Sequence, residues 1–182
     1  SKEITAVYTD YRGDTVSRNH AGFGSIQYRD ASGKNDFRTM KVARGNEYIY
    51  FYAQTGLSIK SVTEENRMAL FIGTGDGAFS GFDYVINCKR SGSTTKATVE
   101  RLSADGSRKV VGTVDMKTGN NRIMFAVPRA LIGCDRGLVD ITFKWADGFT
   151  IDGSGKIDIM SFYTSGDAAP IGRFAYVFSE KK

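Results

Sequence analysis

The residues able to do acid–base, nucleophilic or metal chemistry are few and scattered. His20 is the only histidine. It lies in Ser17-Arg18-Asn19-His20-Ala21-Gly22, with no cysteine and no Gly-x-Ser-x-Gly nucleophile beside it. A histidine so placed reads as a surface or packing residue before it reads as a general base. The 20 Asp and Glu residues are enough for a glycosidase pair, which needs only two carboxylates at a suitable separation, but so many acids make chance pairs inevitable. Hard oxygen donors are better grouped. Thr9-Asp10-Tyr11-Arg12-Gly13-Asp14 and Lys34-Asn35-Asp36 place carboxylates and an amide in loops, the donor type of which calcium takes about six to eight. The same residue types also populate ordinary turns. Cys88 and Cys134 lack CxxC or metal-ligand spacing; they read as one bridge if the chain is exported, or as two buried thiols.

The aromatic residues carry a stronger signal. Alternation along Tyr48-Ile49-Tyr50-Phe51-Tyr52-Ala53 puts Ile49, Phe51 and Ala53 on a core face and the three tyrosines on the other. A tyrosine stripe is either a second packed layer or a platform for sugar rings, whose C–H faces stack on aromatics while their hydroxyls meet the polar tips. Trp145 alternates in step with Ile141 and Phe143, which favours burial, with Lys144 facing away. Phe79 and Phe149 sit in turns beside glycines, where they can be exposed to a ligand.

Positioning these residues falls to strands. Apolar–polar alternation recurs near 4–9, 23–29, 37–44, 47–55, 67–73, 82–88, 94–102, 108–115, 121–127 and 139–146, with further short strands near 157–163 and 173–178. Ser103-Ala104-Asp105-Gly106-Ser107 is a hairpin turn, since Asp-Gly supplies the positive φ such turns require. One helical turn is signalled, Pro128 to Gly133, opened by proline and closed by glycine. The pattern predicts an all-β, two-sheet antiparallel β-sandwich of jelly-roll or immunoglobulin-like kind, with residues 1–182 forming one domain.

Net charge is +5, spread over a group from Arg12 to Arg44 and a looser one at Lys89, Arg90 and Lys96. That balance fits a solvated surface, or attraction to a polysaccharide bearing uronate or sulfate. Nucleic acid is disfavoured, because no recognition helix or RNA-binding sheet motif is present. No apolar run approaches the roughly 20 residues of a membrane span, and Ser1-Lys2-Glu3 does not read as a signal peptide. The chain is therefore expected to be intracellular, or a mature or excised segment.

Six blocks carry a resemblance: residues 9–15, 33–36, 50–55, Gly81-Phe82-Asp83-Tyr84-Val85-Ile86-Asn87, Phe143-Lys144-Trp145-Ala146-Asp147 and 166–174. Their order resembles family 9 carbohydrate-binding modules and the related DOMON-like sandwiches found at the C-terminus of secreted bacterial glycoside-hydrolase-type proteins. The resemblance implies an exported, non-catalytic accessory module with structural calcium, held by Asp10, Asp14, Asn35 and Asp36. It departs at Ile72-Gly73-Thr74-Gly75-Asp76-Gly77-Ala78-Phe79, where glycines replace acids and Phe79 replaces a tryptophan, and at Arg67, which stands where an aromatic is expected.

The reading that follows is a carbohydrate-binding module that holds polysaccharide for an attached or partner glycoside hydrolase, with Tyr50, Tyr52, Arg67, Phe79 and Trp145 as candidate sugar contacts. Arg67 is suited to an anionic sugar. Two rivals remain: a structural accessory domain with no ligand of its own, and a glycan-cleaving enzyme.

Overall fold

The computed structural model describes residues 4–13, 18–30, 35–59 and 65–181. Its strands are β1 (Ile4–Thr9), β2 (Arg18–Ala21), β3 (Gln27–Asp30), β4 (Phe37–Arg44), β5 (Tyr48–Thr55), β6 (Ala69–Gly73) and β7 (Tyr84–Ile86). They continue with β8 (Lys96–Leu102), β9 (Arg108–Gly119), β10 (Arg122–Pro128), β11 (Asp140–Asp147), β12 (Asp167–Ala169) and β13 (Tyr176–Ser179). A 3₁₀ turn at Arg129–Ile132 ends at Gly133 in the left-handed region, and one helical turn, α1, spans Ser161–Thr164.

All but β2 and β3 join one antiparallel sheet in the order β1-β4-β5-β10-β9-β8-β7-β6-β11-β12, with β13 also on β11. The sheet curls until its halves face each other as a sandwich. Phe125 on β10 stacks on Trp145 of β11 at 5.3 Å and 14° between ring planes, and Phe51 on β5 meets Phe143 edge-on at 5.7 Å. These contacts arise because the inward residues of β4, β5 and β10 are large and apolar, and they fill one buried cluster with those of β6 and β11.

A second buried cluster lies on the far side of β6, β7 and β11. Phe149, Ile157 and Phe162, from the segment between β11 and β12, pack there against Phe71, Phe82 and Val85. The outer face of that half is therefore covered, and β6 and β7 are buried on both sides.

The two ends of the sheet meet at a seam closed by side chains. Tyr8 Oη donates to the Val177 carbonyl (2.7 Å), Tyr176 Oη donates to the Thr9 carbonyl (3.1 Å), and the Phe37 amide donates to Asp167 Oδ2 (2.8 Å). Among the described residues no strand pairing joins β1 or β4 to β12 or β13.

The antiparallel sandwich, the 3₁₀ turn and the Ser103–Ser107 hairpin agree with the sequence. In that hairpin Ser103 N–H bonds the Ser107 carbonyl, with Gly106 at φ +80°. Three segments differ. The alternation near 23–29 marks only half of a β2–β3 hairpin, whose first strand, Arg-Asn-His-Ala, has no apolar alternation to detect. The stretch 157–163 is not a strand: Ile157 and Phe162 turn inward to cap the second cluster, and the chain makes α1 instead. Strand β12 has three residues, too short for a periodic signal.

Candidate functional site

With one outer face covered, the other carries the tyrosines. Tyr48, Tyr50 and Tyr52 are half-buried on the outside of β5, and the Tyr48 and Tyr50 rings lie 6.1 Å apart within 30° of parallel. Register sets their neighbours. Tyr50 lies between Ala43 of β4 and Ala126 of β10, so only methyl groups flank it. Tyr52 lies between Lys41 and Met124, with Lys117 of β9 one strand further. The Lys41 ammonium stands 5.6 Å over the Tyr52 ring, and Tyr52 Oη donates to Gln54 Oε1 (3.1 Å).

This face ends in two clefts. One, of about 410 Å³, is lined by Asp10, Arg12, Arg38, Gln54 and Asn121; the other, of about 530 Å³, by Tyr52, Lys117, Asn121 and Arg122. Arg38 is held by Asp36 at 2.6 Å and lies flat against Gly56, where a Cβ would come within 2.8 Å of the guanidinium. Any larger residue at 56 would push Arg38 off the cleft wall. The arrangement is suited to stacking and hydrogen bonding; among the described residues it brings no acid–base pair onto the tyrosines.

The other candidate sugar contacts lie elsewhere. Trp145 is fully buried in the main core and Phe79 is buried in the second cluster, so neither offers a surface for stacking. Arg67 pairs with buried Asp147 at 3.2 Å. That carboxylate also accepts from Asn35 Nδ2 (3.0 Å) and from the Met68 amide (2.9 Å), and burial pushes its pKa up against the pull of Asn35 and Arg67. The turn before β12 closes over this group only because residue 166 is glycine: a Cβ there would lie 1.7 Å from the Asp147 carbonyl oxygen.

Two of the four residues that calcium would use are engaged by protein groups as placed. Asn35 is turned to Asp147, and Asp36 accepts from the Gly13 amide (3.2 Å) while pairing with Arg38. Asp10 lines the cleft, and Asp14 lies outside the described residues. Asn35 and Asp36 are thus committed to protein groups, which leaves them fewer free oxygens for a cation. Chelator is expected to leave the melting temperature unchanged; a fall of several degrees would show that a bound ion supports the fold and overturn this assignment.

Cys88 is buried and Cys134 half-buried, and both are free thiols. Burial pushes the Cys88 thiol up to about 12, which makes it a poor nucleophile. Among the described residues no helix is long and apolar enough to cross a membrane.

What sequence reasoning missed is the setting of the tyrosines. Ala43, Ala126, Lys117 and Arg122 carry an outward-facing signal, but which of them flanks which tyrosine depends on β10 inserting between β5 and β9. Comparison with known protein families, with curated proteins and with solved structures finds no match for this chain.

Proposed function

We propose that this chain is a non-catalytic carbohydrate-binding module, in which the open outer face of β5 holds a polysaccharide for an attached or partner glycoside hydrolase outside the cell. The observation that carries the reading is the half-buried Tyr48–Tyr50–Tyr52 ladder, which no described segment packs over while the opposite outer face is covered, with Tyr50 set between two alanines. An aromatic flanked by methyl groups admits a sugar ring alongside it, and the Tyr52–Gln54 pair supplies polar tips for hydroxyls.

Affinity electrophoresis against neutral, uronic and sulfated polysaccharides tests this. At least one glycan should retard the protein, and Tyr50→Ala should weaken that retention roughly tenfold or more, the scale of losing one buried aromatic contact. Indifference to the whole panel would sink the reading.

A structural accessory domain is the second reading. It is favoured by exposed Tyr11 and Ile171, which line a cleft of about 360 Å³ at the seam, and by exposed Val177 on β13. It predicts that Tyr50→Ala changes nothing measurable.

A further inference from the structure

Four cations around the tyrosine ladder and its clefts have no acidic partner among the described residues, whereas Arg38 in the cleft and several cations elsewhere on the sandwich do have one. Arg44 pairs with Glu180, Lys156 with Asp105 and Lys181 with Asp140. Among the described residues Arg12, Lys41, Lys117 and Arg122 have no acidic partner. The acid in the row of Tyr50, Asp115, is taken by Lys96 of β8. The face is therefore net positive where it meets the two clefts, and those clefts share Asn121 beside the Tyr52–Gln54 pair.

We infer that this end of the ladder reads a negatively charged group on the glycan, a uronate carboxylate before a sulfate ester. The inference rests on the carbohydrate-binding reading and specifies its ligand. Lys41 and Lys117 lie on either side of Tyr52, three strand spacings or roughly 14 Å apart. A chain crossing the strands over Tyr52 meets a cation on each flank. Arg122, directly opposite Gln54, adds a planar fork that matches a carboxylate through two parallel hydrogen bonds. A ring that stacks on Tyr52 displaces Lys41 from above it and leaves that ammonium beside the charge of the sugar. Cations without an acidic partner can pair with a ligand anion without first breaking an internal ion pair.

The test uses one backbone with and without charge: polygalacturonate and its fully methyl-esterified form, with dextran sulfate and single-stranded DNA as further gels. The double variant K117Q/R122Q is compared with K109Q/R136Q, which removes the same charge away from both clefts. Wild type should be retarded more by polygalacturonate than by the ester, and K117Q/R122Q should lose roughly tenfold of that affinity while K109Q/R136Q keeps it. Retention should also fall steeply with salt, since exposed charges are screened beyond about 10 Å at 0.1 M. An unchanged melting temperature for K117Q/R122Q confirms that binding alone is affected. Retardation by dextran sulfate alone, with the same dependence on Lys117 and Arg122, keeps the anion site and names sulfate as its ligand. Equal retention by the charged and esterified chains overturns this inference and leaves the carbohydrate reading standing. Equal retention by DNA, insensitive to Tyr52→Ala, overturns both.

Discussion

Asp147→Ala is expected to cost about 3–5 kcal/mol of folding stability, the penalty for removing one partner of a buried ion pair. The loss is that large because the carboxylate has three donors from two separate parts of the chain: Asn35, and Arg67 with the neighbouring Met68 amide. Without it the mostly buried Arg67 guanidinium keeps its charge but loses this carboxylate, and Asn35 Nδ2 and the Met68 N–H lose the acceptor they share beneath the turn that Gly166 closes. Against a typical total of about 5–15 kcal/mol, this takes a large share. For a domain of this size it corresponds to a fall of roughly 6–20 °C in melting temperature. Asp147→Asn keeps the shape but turns a donor toward one of these donors, so its loss should be intermediate. A change below about 1 kcal/mol in urea unfolding of the alanine variant would show that Asp147 does not organise this corner.

The second large effect concerns Lys144, the β11 residue whose side chain enters the second cluster. Its ammonium bonds the Pro170 carbonyl and stands 5.6 Å over the Phe162 ring. Burial pulls its pKa from 10.5 down to about 7, with Asp10 and Asp167 pulling the other way. Between these two values the unfolded chain holds a proton that the folded chain lacks, so this group makes stability rise with pH. The slope reaches about 1.4 kcal/mol per pH unit. Below about pH 7 both states are protonated and the buried charge exacts its full cost; above about 10.5 neither is protonated and the cost vanishes. Lys144→Met removes the titration. Relative to the variant, the wild-type protein should gain on the order of 4 kcal/mol between pH 7 and 10, and the variant should melt higher at pH 7. Parallel pH profiles for the two proteins would refute this account.

Much of this was legible in the sequence, for identifiable reasons. Strand β5 alternates cleanly because it has one core face and one open face, and that same alternation placed Tyr50 and Tyr52 outside with Ile49 and Phe51 within. The buried fate of Trp145 followed from its phase with Phe143. Phe79 was harder, since a glycine-rich turn suggests exposure; the cover laid over it comes from residues some way along the chain, at Phe149 to Phe162. Arg67 and Asn35 were assigned to ligands because Asp147, which holds both, is remote from each in sequence. The cations beside Tyr52 were visible as outward residues, but their grouping is a product of strand order, which alternation does not encode.

That strand order has a kinetic consequence. Strand β10 is one turn away from β9 yet its other edge is completed by β5, with Ile123 opposite Ala53, and β11 is completed by β6, with Trp145 opposite Leu70. Both pairings close long stretches of chain before their contacts give anything back, so the sandwich should fold slowly for its size, on a scale nearer milliseconds to seconds than microseconds. The hairpins β4–β5 and β9–β10 can each form locally, but the tyrosine ladder acquires its flanking alanine from β10 only when the two dock. The ladder with both flanking alanines in place should therefore appear with the last, non-local step of folding rather than with the first hairpins.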